Sequence, residues 1–251
     1  MSSSEDSLWR SAPGTVELRG NEVHAWHACL SLSPAVLERM KQTLADDELE
    51  RAKRFVFDKH KLSYVASRGI LRDILGRYVH KAPCELEFCY NAFGKPELLT
   101  ERRLGGLRFN LSHSHGHAIF AFTLGREIGV DIERIRSNVE FERLAERFFS
   151  PKEAAGIKAL PAHLKDQAFF NCWTRKEAYI KACGEGLSFP LNRFDVTLAP
   201  GEDAALAGNM EDPSETKRWT MEALSPAAGY AAALAVERGD WHIERFRWVE
   251  D

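Results

Sequence analysis

The chain has no Cys-x-x-Cys pair, no apolar run near the ~20 residues that a membrane span requires, and no basic excess. Each absence excludes a class of protein. Cys29, Cys84, Cys89, Cys172 and Cys183 are odd in number and scattered, which speaks against a disulfide framework or a zinc ribbon and for reduced thiols. A formal net charge of −3 is not that of a duplex binder, which neutralises phosphates with an excess of lysine and arginine. The opening residues, Met1 to Asp6, are polar and acidic without the apolar stretch of a secretory signal. The expected location is therefore the cytoplasm, with neither nucleic acid nor membrane as partner.

What is present suits a folded core. Hydrophobic residues make up 44% and aromatic residues 10% of 251 positions, enough for one large or two small domains. The first dozen residues read as a loose tail, and Val23 to Leu30 alternates as a strand does. Ser33 can cap a helix that starts at Pro34, and helical patterning resumes over Asp46 to Phe57 and Lys59 to Tyr78. Strands are predicted at Leu86 to Tyr90, Leu107 to Leu111 and His117 to Thr123. The second half repeats the plan, with helices over Val139 to Leu160 and Lys165 to Cys183 and strands near Phe194 to Leu198, Trp219 to Leu224 and Tyr230 to Val236. Pro200 to Ser214 reads as an exposed loop. The string Gly116 to Phe122 parallels Gly229 to Ala235. The expected fold is α+β, two similar α/β halves dividing into residues 1–125 and 126–251.

Two acidic clusters lie about 45 residues apart, Gly129-Val130-Asp131-Ile132-Glu133 and Trp173-Thr174-Arg175-Lys176-Glu177-Ala178-Tyr179-Ile180-Lys181. An extended first cluster puts Asp131 and Glu133 on one face and sends Val130 and Ile132 into the core. A helical second cluster puts Trp173, Glu177 and Lys181 on one stripe. Three carboxylates and an ammonium suit a hard cation that handles phosphate, since magnesium needs only one or two carboxylates beside substrate oxygens. Taken singly, each cluster is also what a solvated strand edge or a charged helix surface looks like.

These clusters sit inside longer strings in a fixed order: Phe93-Gly94-Lys95-Pro96, then Phe109-Asn110-Leu111-Ser112-His113-Ser114, then Gly129 to Glu133, then Trp173 to Lys181 with Gly184, Gly186 and Leu187 beyond. In that order and spacing the chain resembles the 4'-phosphopantetheinyl transferases of the larger, surfactin-synthetase-activating type, over most of residues 44 to 195. The resemblance implies a pseudo-dimer with the active site between its halves, and a monomer in solution. It implies transfer of the 4'-phosphopantetheine arm of coenzyme A to a serine of an acyl or peptidyl carrier protein, with release of adenosine 3',5'-bisphosphate.

Residue by residue, the resemblance places Asp131, Glu133 and Glu177 at magnesium positions. It gives Glu177 the further role of general base, taking the serine proton directly or through a water, and Lys181 that of neutralising the leaving diphosphate. Lys95, Ser112 and His113 fall at nucleotide-contacting positions with Asn110 beside them, and Arg51 falls where the family has a basic residue. Arg51, Lys53, Arg54, Lys59 and Lys61 also fit the wet face of a helix. Carriers of this kind are acidic after their serine, which makes Arg134, Arg136, Arg143 and Arg147 candidates for docking by position.

His113, His115 and His117 would share one face of an unbroken strand and could then bind zinc, but Gly116 favours a turn that breaks that face. Phe148, Phe149, Phe169, Phe170 and Trp173 read as core. A magnesium-dependent nucleotide hydrolase and a non-catalytic coenzyme A or carrier-binding module remain alternatives. Neither the carrier nor the choice between magnesium and manganese is legible.

Overall fold

A computed structural model describes residues 8–13, 16–99, 106–137, 140–184 and 189–250. Gly186, Leu187, Val139 and the Met1 to Asp6 segment lie outside the described residues. In chain order the elements are β1 (Arg10–Ser11), β2 (Glu22–Cys29), α1 (Pro34–Gln42), α2 (Asp46–Lys53), α3 (Asp58–Val79), β3 (Phe88–Tyr90), β4 (Pro96–Leu98), β5 (Leu107–Ser114) and β6 (His117–Leu124). They continue with β7 (Ile128–Arg134), α4 (Phe141–Phe148), α5 (Pro151–Ala159), α6 (Ala162–Cys183), β8 (Phe194–Val196), β9 (Leu206–Asn209), α7 (Glu215–Arg218), β10 (Trp219–Leu224), β11 (Tyr230–Glu237) and β12 (His242–Arg247).

The two halves repeat one plan. The larger sheet runs β1-β12-β2-β6-β5 and the smaller β10-β11-β7, so that β5-β6-β2 and β10-β11-β7 match strand for strand. Each half carries a 22-residue helix, α3 or α6, on the outer face of its sheet. Trp26, Ile70, Ile74, Phe120 and Phe122 fill the first core, and Phe169, Tyr179, Phe194, Trp219 and Ala233 the second. A third core joins the halves: Val23, Ala25, Ile119 and Ala121 of the larger sheet pack against Ile128, Val130, Ile132 and Leu234 of the smaller one. Alternation along each strand produces this, because one apolar face meets the half's own helix and the other meets the opposite half.

Local chemistry sets the boundaries. Ser33 and Ser150 cap α1 and α5, each with proline at the first helical position. The helical reading of Asp46 to Phe57 is corrected: α2 stops at Lys53, Phe55 to Phe57 form an exposed linker, and α3 starts at Asp58. Val139 to Leu160 likewise divides into α4 and α5, because Ser150-Pro151 starts a new helix. Pro200 to Ser214 contains β9, paired with β8, rather than loop alone. Trp9 is buried and β1 pairs with β12, so residues 9 to 11 are not loose tail. The chain end was unforeseen: β12 returns to the first half and pairs in parallel with β2. Among the described residues no helix is long and apolar enough to cross a membrane.

Candidate active site

The site forms where the edges of the two sheets meet, β5 against β7. Side chains rather than a backbone ladder join them. Asn110 Oδ1 accepts from Val130 N at 3.0 Å, Ser112 Oγ donates to Asp131 Oδ1 at 2.7 Å, and Ser114 Oγ donates to Glu133 Oε2 at 2.7 Å. Every second residue of β5 thus meets the strand that bears the carboxylates.

The face of β7 that bears Gly129, Asp131 and Glu133 meets α6. A Cβ on Gly129 would fall inside the van der Waals envelope of Ala178 O and Ala182 N, so only glycine permits this approach. The approach brings Lys181 Nζ to 2.6 Å from Asp131 Oδ1, 3.0 Å from Ser112 Oγ and 3.3 Å from Val130 O. Trp173, on the same stripe as Glu177 and Lys181, packs instead with Phe148, Phe149 and Phe169, anchoring the helix.

A cleft of about 690 Å³ opens onto this seam, lined among others by Arg51, Lys95, Asn110, Ser112, His113, Glu177 and Lys181. All the expected nucleotide contacts are therefore together. Asp131 and Glu133 do not line the cleft; they stand behind Ser112, Ser114 and Lys181. Lys95 is presented by a turn in which Asn91 Oδ1 accepts from the backbone N–H groups of Phe93 and Lys95, each at 2.9 Å, with Gly94 at φ 81°. Its ammonium donates to Glu127 Oε2 and Ile128 O, both at 3.3 Å. Arg51 lies over the Tyr64 ring.

Sequence reasoning missed Ser114 and Asn91, which orient Glu133 and Lys95, and also Arg68 and Tyr90. Arg68 lines the cleft, donates to Tyr90 Oη at 3.2 Å and to Glu48 Oε1 at 2.6 Å, although it lies in a segment read only as a helix face. Arg143 pairs with Glu140 and Arg147 stacks on Phe148, while the charges of Arg134 and Arg136 bear on His115 in the turn after β5. Ser114, one residue after His113, ends β5, His115 and Gly116 make the turn, and His117 begins β6, so the three histidines do not share an unbroken strand.

Electrostatics concentrate on Glu177. Burial and the negative charge of Asp131 push its pKa up to about 7, with Lys181 opposing and Glu133 adding. Glu133 is also raised by burial, against the Ser114 hydrogen bond. Desolvation in the cleft wall and the Lys181 charge lower His113, favouring the neutral imidazole.

Among the described residues no three His, Cys, Asp or Glu side chains stand close enough to hold a metal unaided. Yet Asp131 Oδ2 and Glu177 Oε1 are buried without a hydrogen-bond partner, beside carboxyls that repel one another. That donor set fits a hard divalent cation that shares its shell with substrate phosphate and water. A larger hollow of about 900 Å³ between α6, β10 and β11 gathers no comparable cluster, and its Arg175 is already held by Thr197 and the Glu202 carbonyl.

Among the described residues the repeated plan makes one such site, not two. Asp73 and Arg77 occupy in α3 the places of Glu177 and Lys181 in α6, and strand register sets Trp26 opposite Phe120 as Asp131 is opposite Ala233. An indole therefore replaces the first carboxylate. Asp73 is held by Arg77 at 2.8 Å and by Trp248 Nε1 at 2.9 Å, and Trp248 follows β12.

Comparison with known proteins matches both parts of the chain to one family. Residues 127–235 match the 4'-phosphopantetheinyl transferase superfamily, and residues 26–124 match the N-terminal region of 4'-phosphopantetheinyl transferases. The chain is 39% identical over 233 residues to the 4'-phosphopantetheinyl transferase HetI of Nostoc sp., covering 93% of this chain and 95% of that one. It is 30% identical over 211 residues to the 4'-phosphopantetheinyl transferase Sfp of Bacillus subtilis, covering 84% and 89%.

Proposed function

The chain belongs to the 4'-phosphopantetheinyl transferase superfamily, and from that premise we propose how its cleft carries out the transfer. The protein moves the 4'-phosphopantetheine group of coenzyme A onto a serine hydroxyl of an acyl or peptidyl carrier protein. A bond forms between the serine oxygen and the pantetheine-side phosphorus, and the bond from that phosphorus to the bridging oxygen of the diphosphate breaks. Adenosine 3',5'-bisphosphate leaves with the bridging oxygen, and the serine proton passes to Glu177 directly or through a water.

The observation that carries this reading is the arrangement of Glu177 and Lys181 in the cleft wall, with Asp131 bonded behind Lys181. Glu177 is buried, with a pKa near 7 and one carboxylate oxygen unpartnered, which suits a base working near neutral pH. Lys181 spends its hydrogen bonds on Asp131, Ser112 and a carbonyl at the cleft edge, so its charge is fixed before substrate arrives. Preorganised charge of this kind is most of what phosphoryl transfer asks of a protein.

Asp131 and Glu177, with Glu133 behind them, would hold Mg²⁺, which when bound neutralises diphosphate oxygens and the crowded carboxylates. Ser112 and Ser114 orient Asp131 and Glu133 for it. Lys95, Arg51, Asn110, Ser112 and His113 bind the nucleotide end of coenzyme A, with Lys95 exchanging its bond to Glu127 for a phosphate oxygen. The protein works as a cytoplasmic monomer whose halves, 1–125 and 126–251, supply the interface within one chain.

Intact-protein mass spectrometry of an apo-carrier incubated with this protein, coenzyme A and Mg²⁺ tests the reading. A chelator-sensitive gain of one phosphopantetheine group is expected. Coenzyme A breakdown without a carrier adduct would point to the hydrolase instead, and binding without either product to the non-catalytic module.

A further inference from the structure

The linker between α2 and α3 leaves the cleft as an apolar ledge. Phe55 lines the cleft, and the next two side chains, Val56 and Phe57, are 89% and 63% exposed. Leu62, one turn into α3, is also exposed. Four of the large exposed apolar side chains among the described residues therefore fall within residues 55–62. Soluble monomers rarely leave such a group uncovered without a partner for it.

Charge along the ledge is predominantly positive. Between Arg54 and Leu62 stand Arg54, Lys59 and Lys61 against the single acid Asp58, in a chain whose net charge is −3. Across the cleft rim, the turn between β5 and β6 projects His115, held at φ 45°, and the positive charges of Arg136, Arg134 and Lys59 all bear on it. Lys59 belongs to the first half and the two arginines to the second. Positive charge from both halves therefore reaches the turn that follows the strand whose Ser112 and Ser114 hold Asp131 and Glu133.

We propose that Val56, Phe57 and Leu62, with Lys59 and Lys61, form the docking surface for the acceptor protein, which presents an acidic helix bearing an apolar side chain beside its reactive serine. This rests on the transferase reading above. The apolar ledge supplies contact area and the rim supplies register and encounter rate.

The test uses the full chain, coenzyme A, Mg²⁺ and a purified apo-acyl carrier protein, with initial rates measured while each substrate is varied in turn. In Val56→Asp/Phe57→Asp, both positions being exposed, the thermal midpoint should not move. The KM for the carrier should rise about tenfold or more, while the KM for coenzyme A and kcat stay within about twofold. In Lys59→Glu/Lys61→Glu, kcat/KM for the carrier should fall and most of its salt dependence should disappear. An unchanged carrier KM in both variants, with an active wild type, overturns the docking surface alone. Absence of transfer by the wild type to a panel of apo-carriers overturns the transferase reading and the surface with it.

Discussion

Arg72 and Lys176 hold the same place in the two halves. Each is the fifteenth residue of its 22-residue helix, and each pairs with the glutamate at the third position of a preceding helix, Glu48 at 2.7 Å and Glu153 at 2.8 Å. Each also donates to the first carbonyl of a 3₁₀ turn and to the carbonyl just after that turn, Pro83 and Leu86 for Arg72, Leu191 and Phe194 for Lys176. Matching of one cation, one acid and two carbonyls across halves of dissimilar sequence is what a duplicated fold predicts. A buried charge also tolerates little change in its partners.

Lys176→Met should therefore destabilise the protein by about 3–5 kcal/mol, because it leaves Glu153 charged and buried. Urea denaturation measures this. Adding Glu153→Leu should recover part of the loss but not all, since the Leu191 and Phe194 carbonyls would still lack their donor.

Gly129→Ala should cost about 1–3 kcal/mol or more in stability, because its methyl group meets backbone rather than a movable side chain. The transfer rate should suffer more than stability does, since the displaced strand is the one that carries Asp131 and Glu133. Comparison of the thermal midpoint with kcat separates the two effects.

Glu177→Gln keeps the shape and removes the base, so kcat should fall by about 10²–10⁴-fold with little change in the KM for carrier. In the wild type, kcat should decline as pH drops below about 7 and Glu177 takes up a proton, a decline that shifts to lower pH where a bound cation favours the carboxylate. A pH–rate profile checks this, and the variant should lose the Glu177 limb.

Lys95→Ala should chiefly raise the KM for coenzyme A, as its ammonium lines the cleft and its bonds to Glu127 and Ile128 are long enough to exchange. Steady-state kinetics against coenzyme A would detect this, with kcat the less affected constant.

Stability should fall as pH drops below about 6.5, partly through His24. Burial lowers its pKa, although the bond to Glu22 at 3.2 Å opposes this, and its other nitrogen lies 2.8 Å from Tyr78 Oη. A histidine lowered in the fold is neutral in both states above its unfolded value, so its contribution is complete there. As pH falls through that value the unfolded chain takes the proton first, and stability declines towards the folded pKa. Denaturation at pH 7.5 and about pH 5.5 should differ less in His24→Gln than in the wild type.

Much of the site was legible because its residues act through local periodicity. Alternation along β7 put Val130 and Ile132 in the core and Asp131 and Glu133 on the other face, and four-residue spacing aligned Glu177 with Lys181. Partners set by distant chain segments were not legible. Ser114 carries the same alternation as Ser112, yet nothing in the string shows that it meets Glu133. Arg68 looks like helix surface until Glu48 and Tyr90 close around it. The Phe55 to Phe57 segment carries a helical pattern but forms the exposed linker.

The sequence by itself determined most of the longer elements, their duplicated order and the chemistry of the acidic and basic side chains, because periodicity, caps and residue type act within a few residues of chain. Only the tertiary structure decided that β5 and β7 meet edge to edge, that Gly129 lets α6 close on Asp131, and that Trp26 and Trp248 fill the equivalent place in the first half. Those outcomes depend on how two apolar sheet faces pack and which strand edges then come together. Side-chain volume and burial, distributed over both halves, govern that choice.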